Sequence, residues 1–282
     1  MTSIAVLGTG LLGSGFVEAA CGRGWEVTAW NRTPGKAEAL AAVGARVAAT
    51  PARAVQGVQR VHLVLRDDAS VEDVLGEALP VLDAGTVICD HTTTQPAFTA
   101  ARARRLADQG VAYLHCPVFM GPPAARDSKG SMLVAGPRAL FEGVQDELTQ
   151  MTGRLAYLGE RPDQAAVVKL MGNALIIGVV GLVADALALG RSAGLSPEET
   201  LGVMEFINPG AVAKLRGPKM AAGSFDPSFA LTMARKDVRL MLETAEGIPL
   251  AVLPGLAARM DALIQRGHGE QDVGVLAVDA VK

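Results

Sequence analysis

A short apolar run, Ile4–Leu7, ends directly in Gly8-Thr9-Gly10-Leu11-Leu12-Gly13, after which the pattern turns helical. No other stretch of the chain restricts its fold so tightly. A G-x-G-x-x-G set between a strand and a helix is the first turn of a βαβ unit. Gly8 makes the tight turn, Gly10 lets another group approach the backbone, and Gly13 lets helix and strand pack closely. The helix start presents free N–H groups at its positive end, which suits a phosphate. These residues therefore predict a dinucleotide pyrophosphate resting on Gly8–Gly13.

The rest of the first half agrees with such a unit. Strand patterns at Ile4–Leu7, Glu26–Trp30, Ala45–Val47, Val61–Leu65, Thr86–Cys89 and Ala112–Leu114 alternate with helical stretches. The helices fall at Leu12–Gly22, Pro34–Ala42, Thr50–Val55, Ser70–Leu82 and Pro96–Gln109. Such alternation implies right-handed crossovers and a doubly wound, mostly parallel α/β sheet. After Ala156–Leu158 strand patterns disappear. A continuous helical pattern runs from Gln164 to Ser192, about 43 Å at 1.5 Å per residue. Ser196-Pro197-Glu198-Glu199 starts another helix with a Ser cap, an early Pro and acids at the positive dipole end. Helices are expected at Ser196–Phe206, Val212–Met220, Met233–Thr244, Val252–Arg266 and Val273–Val281. Three parts result: residues 1–161 binding the dinucleotide, an interdomain helix over 162–192, and an all-helical substrate and dimerisation part over 193–282.

Composition narrows the class. Half of the 282 residues are hydrophobic and only 20% are charged, which excludes a disordered chain. A formal charge of −3 gives no basic footprint for nucleic acid. The three cysteines and four histidines lack ligand spacing, so no metal site or disulfide framework is expected. The apolar run Ala174–Leu189 is interrupted by Asp185 and falls short of the roughly 20 residues of a membrane span. With no basic, apolar leader pattern at the N-terminus, a soluble cytoplasmic protein is expected.

The end of the second strand selects the dinucleotide. Binding of an unphosphorylated ribose usually uses an Asp or Glu there. This chain reads Trp30-Asn31-Arg32-Thr33, with no acid until Glu38. Arg32 offers a charged fork to a 2′-phosphate, Asn31 and Thr33 offer neutral hydrogen bonds, and Lys36 adds charge. NADPH is the expected cofactor. For proton transfer the best candidate is Lys169, with Asn173 at i+4 on the same helix face. An amine embedded in so apolar a helix is costly unless paired or used. Asp90-His91-Thr92-Thr93-Thr94-Gln95-Pro96 follows a strand and so sits at the carboxyl edge, where open α/β sheets bind ligands. Lys236, in Arg235-Lys236-Asp237, is a further candidate toward the cofactor. His91 and His115 read as structural.

In order, these segments resemble the β-hydroxyacid dehydrogenase family, which includes 3-hydroxyisobutyrate dehydrogenase and glyoxylate/succinic semialdehyde reductases. The likeness spans essentially the whole chain. It comprises the glycine loop, D-x-[ST]-T-x-x-P at Asp90–Pro96, P-V-x-x-G at Pro117–Gly121, K-x-x-x-N at Lys169–Asn173, Lys236-Asp237, and G-x-G-x-x-D at Gly267–Asp272. The resemblance implies a Rossmann domain, a long interdomain helix and a helical domain closing over the substrate. It makes Lys169 the catalytic acid/base and Asn173 its polar partner, with Thr92 at the substrate and Lys236 against the cofactor. One departure stands out. Phe119-Met120-Gly121 replaces the family's Ser-Gly-Gly, which holds a substrate carboxylate, and Pro122-Pro123 opens a longer loop to Gly130. These features, with Asn31–Ala37 and Arg266–Gly269, resemble imine reductases, which generally lack the helix lysine.

The expected activity is NADPH-dependent reduction of a small aldehyde or keto acid, such as a semialdehyde, to the hydroxy acid, with Lys169 as general acid. An imine reductase or reductive aminase is one alternative, and a non-catalytic NADPH-binding interaction module is another. Substrate contacts are expected from Thr92, Thr93, Phe119, Met120 and Gly121. Cofactor contacts are expected from Gly8, Thr9, Gly10, Leu11, Leu12, Gly13, Asn31, Arg32, Thr33, Lys36, Val64, Leu65, Arg66, Thr92 and Lys236. The apolar long helix favours a homodimer or homotetramer.

Overall fold

The computed structural model describes residues 2–281, and the chain forms two compact units, Met1–Gly172 and Asn173–Lys282. The first is built on one sheet. Strands β1 (Ser3–Leu7), β2 (Glu26–Trp30), β3 (Arg46–Val47), β4 (Arg60–Leu63), β5 (Val87–Asp90) and β6 (Ala112–His115) lie parallel in the order β3-β2-β1-β4-β5-β6. This is the Rossmann order, whose direction of winding reverses between β1 and β4. Parallel strands covered by helices on both faces must be apolar on both. Accordingly Ile4, Ala5, Val6 and Leu7 are all fully buried, divided between clusters on opposite faces.

Three further strands extend the sheet: β7 (Val118–Phe119), β8 (Ser131–Ala135) and β9 (Arg154–Gly159). β8 runs antiparallel to β6 and β7 and parallel to β9. The sequence patterns above assign only β9 of these. They also miss the helices Pro122–Arg126 and Arg138–Gln150. The segment expected as a loop after Gly121 is therefore partly helical, because Pro122 and Pro123 occupy the first helical positions, where a missing N–H costs nothing. It packs on the helix Leu11–Gly22, where Gly15 lies against Ala125.

The second unit is helical. Ser192 closes the long helix Gln164–Ser192, whose bounds match the sequence pattern. Ser196 and Glu199 form a reciprocal capping box. The helices Leu231–Thr244 and Leu253–Leu263 bury Leu231, Val238, Leu253, Met260 and Leu263 in a common core. Two carboxylates tie this unit together. Asp185, in the long helix, accepts the backbone N–H groups of Ala251, Val252 and Leu253. Asp272 accepts from Ser228, Phe229, Gly274 and Arg216.

Two expectations are corrected here. Val273–Val281 is not an α-helix. Asp272 captures the Gly274 N–H and its carbonyl takes the Val275 N–H, so only a tight turn forms at Val273–Ala277. The helix Gln164–Ser192 is, by length and composition, long and apolar enough to cross a membrane. The run Ala174–Leu189 alone understates it, because the helix continues apolar toward its N-terminus. A buried carboxylate bonded to three amides of another segment is nevertheless the signature of packing within a protein.

Candidate functional site

The glycine loop closes onto its neighbours as its sequence demands. The Gly8 N–H donates to the Trp30 carbonyl at 2.8 Å, so β1 and β2 end together. Gly8 sits at φ +101°, and a Cβ there would strike the Val64 carbonyl; a Cβ on Gly13 would strike the carbonyl of Gly8. Above Gly10 there is open space. Gly10 is the N-cap of Leu11–Gly22 and supplies no side chain to its first amides. The loop thus presents uncapped N–H groups where an anion can reach them.

That loop forms one wall of a cleft of about 750 Å³. The candidate cofactor residues Gly8, Gly10, Leu11, Leu12 and Gly13 line it, as do Asn31, Arg32, Thr33 and Lys36 beyond β2, and Val64, Leu65 and Arg66 beyond β4. The residues present fit a dinucleotide: a glycine cradle, an uncapped helix start, and an arginine and lysine where an acid would favour the unphosphorylated ribose. Thr9 is not in the lining. It is buried, and its N–H donates to Asn31 Oδ1 at 2.9 Å, while Asn31 Nδ2 donates to the Thr33 carbonyl at 3.0 Å. Asn31 is therefore a strut between the two loops, a role needing both an acceptor and a donor. Ser70, Asp73, Val74 and Glu77 complete the cleft, and sequence reasoning missed them. Their i, i+3, i+4, i+7 spacing on the helix after β4 is the signal that marks one face.

The Asp90–Thr94 segment is fixed from beneath. Asp90, fully buried, accepts from the Thr92 N–H at 2.9 Å and the Tyr113 hydroxyl at 2.8 Å, with Arg102 beside it. Thr92 Oγ1 accepts the Leu65 N–H at 3.1 Å, which ties this segment to the cleft wall. Thr93 is exposed. His91 and His115 are buried and hydrogen-bonded, His91 to the Cys116 carbonyl and to His62, His115 to the Thr92 carbonyl. Burial pushes all three histidines below the ordinary value, His91 to about 4. No spacing in the sequence foretells this trio.

Phe119, at the end of β7, and Met120 face opposite ways, as strand alternation requires. Met120 packs in the cluster that also takes Leu12 and Val64, while Phe119 packs against Leu133, Ala135 and Ala165. Gly121 caps the helix Pro122–Arg126. Lys169 does not line the dinucleotide cleft. Its Nζ stands 4.3 Å from the centre of the Phe119 ring, and burial lowers its pKa from the ordinary 10.5. Asn173 follows one turn later. Lys236 lies in the second unit, 2.8 Å from Asp237.

The NAD-binding domain of 6-phosphogluconate dehydrogenase matches residues 3–159, and the NAD-binding domain of NADP-dependent 3-hydroxyisobutyrate dehydrogenase matches residues 164–278. Glyoxylate/succinic semialdehyde reductase 2 of Arabidopsis thaliana is 28% identical over 98% of this chain and 78% of its own length. Among solved structures, the imine reductase of Myxococcus stipitatus in complex with NADP+ superposes with a TM-score of 0.90 at 24% identity, covering 98% of both chains. The imine reductase of Streptomyces aurantiacus does so with a TM-score of 0.87 at 27% identity, covering 100% of both.

Proposed function

The chain belongs to the family of NAD(P)-dependent β-hydroxyacid dehydrogenases, and we propose that it reduces a small aldehyde or keto acid to the hydroxy acid with NADPH, Lys169 being the general acid. The observation that carries this reading is the half-buried amine of Lys169, held over Phe119 on a helix otherwise almost devoid of charge. Bound NADPH supplies the hydride. The protein's residues do the rest. Gly8–Gly13 take the pyrophosphate on backbone N–H groups, and Arg32, Thr33 and Lys36 take the 2′-phosphate around the Asn31 strut. Val64, Leu65, Arg66, Thr92 and Lys236 complete the cofactor contacts in this reading, and Thr9 serves them indirectly by holding Asn31. Thr92, Thr93, Phe119, Met120 and Gly121 form the substrate contacts. Lys169 gives its proton to the carbonyl oxygen, with Asn173 orienting it. Lysine is an acid at neutral pH without tuning, and burial makes release easier.

Within this reading residues 1–161 bind NADPH, 162–192 form the linking helix, and 193–282 serve substrate binding and dimerisation in a cytoplasmic homodimer or tetramer. A second reading, an imine reductase or reductive aminase, is favoured by the apolar pair Phe119-Met120 and by the named imine reductases of like fold. NADPH consumption measured side by side on aldehyde acids, succinic semialdehyde and glyoxylate among them, and on cyclic imines decides between the two. Turnover on the acids supports the first reading, and turnover on the imines alone replaces it with the second. NADPH binding with no turnover on either panel would return the protein to a non-catalytic binding role.

A further inference from the structure

The ring of Phe119 meets the long helix at two points three residues apart. Lys169 Nζ lies over its face, 4.3 Å from the centroid. Gly172 lies against its far end, where an added Cβ would collide with Cζ and Cε1. Residues at i and i+3 share a helix face, so one face of the helix supplies both a cation and a notch for the ring. Phe119 packs against the buried cluster of Leu133, Ala135 and Ala165, and its backbone pairs with Ser131 of β8. Met120 points to a different cluster, so the arrangement belongs to Phe119 alone.

An aromatic face attracts an ammonium because the ring quadrupole is negative there, and the attraction grows as water is excluded. An aliphatic side chain of similar bulk fills the space without that attraction. We propose that Phe119 is a positioning residue for the proposed proton donor: its ring face holds the Lys169 ammonium in place, and Gly172 is the notch that lets the ring lie there. This rests on the reading of Lys169 as the acid. It assigns the bulky residue at the end of β7 a part in the chemistry as well as in the shape of the pocket. Bulk at position 119 and glycine at 172 form a pair, since neither works without the other.

The test reads the lysine directly, in the whole enzyme, with lysine carrying carbon-13 at Cε and Lys169→Met identifying the Lys169 signal. Protons above a ring face are shielded, so the wild-type Lys169 Cε protons are expected upfield of the other lysines. Phe119→Leu should return them to the common position. Turnover of succinic semialdehyde should fall in Phe119→Leu by roughly threefold to thirtyfold, with the KM for NADPH unchanged. Replacing Phe119 by 3,5-difluorophenylalanine keeps the shape, weakens the negative face, and should lower kcat in the same direction. Gly172→Ala, which displaces the ring while retaining it, should lose the shielding too. A Lys169 signal at the common position in the wild type overturns the proposal, whether or not any variant folds. Equal kcat for the wild type, Phe119→Leu and the fluorinated ring overturns it as well. A shielded signal together with wild-type turnover in Lys169→Met supports the contact and instead removes the acid role argued under the proposed function.

Discussion

Lys169 and Arg32 divide the proposed chemistry between them, and their substitutions should separate accordingly. Lys169→Met removes the proposed general acid and should cost on the order of 10²–10⁴ in turnover. NADPH affinity, measured by fluorescence titration, should hardly change, because the glycine cleft does not include this residue. Reduction should be favoured near neutral pH, where the amine is protonated. Alcohol oxidation needs the neutral amine, so its rate should rise with pH, with a midpoint below the ordinary 10.5 because burial disfavours the charged form. An oxidation rate flat from about pH 6 to 10 would contradict the role. Arg32→Ala should weaken NADPH by roughly tenfold to a hundredfold, the worth of charged hydrogen bonds to a phosphate, and leave NADH nearly untouched. Equal losses for the two cofactors would refute the 2′-phosphate contact.

Strands β4, β5 and β6 carry a vulnerability that their sequences conceal. His62 on β4, His91 just after β5 and His115 at the end of β6 are all buried, and His62 and His91 lie 2.9 Å apart. Arg60 and Asp90 sit nearby. Burial keeps these rings uncharged in the fold, whereas an unfolded histidine takes up a proton below about 6.5. The unfolded state therefore binds more protons as pH falls, and stability is lost on acidification from about pH 6.5 downward. For His91 the loss is complete only below its folded pKa of about 4, and amounts to on the order of 3 kcal/mol there. Thermal unfolding from pH 7 to pH 4 should show a steady fall in Tm beginning near pH 6.5. A Tm constant down to pH 4.5 would dismiss this account. Because His91 and His115 support the Asp90–Thr94 segment, cofactor affinity should weaken over the same range.

The exposure of the long helix bears on assembly. Leu175 is 69% exposed and Ile177 68%, with Met171, Ile176 and Val180 also exposed along the helix. An exposed apolar stretch of this length is the mark of an interaction surface. In the homodimer proposed above a second copy covers this face, so light scattering should give a mass at least twice the 29.1 kDa of one chain. Ile177→Arg with Val180→Glu should shift that mass toward the single chain and lower Tm. A wild-type monomer at micromolar concentration would overturn the homodimer proposed above.

Much of the protein was legible in its residues, for a definite reason. The glycine loop, the six parallel strands, the 29-residue helix and the arginine after β2 are written in neighbours a few residues apart. Chain stiffness and hydrogen bonding act at that range, so spacing alone reveals them. β8 and the helix Arg138–Gln150 were missed, although the apolar run Met132–Ala135 between Gly130 and Gly136, and the spacing of Phe141, Val144 and Leu148, mark them. Other features come from residues far apart in sequence. The place of β8 between β6 and β7, the meeting of His62 with His91, the carboxylate of Asp185 on the amides of Ala251–Leu253, and the seat of Lys169 on Phe119 all join distant segments. Such contacts leave no periodic trace, because packing selects them only after the elements have formed.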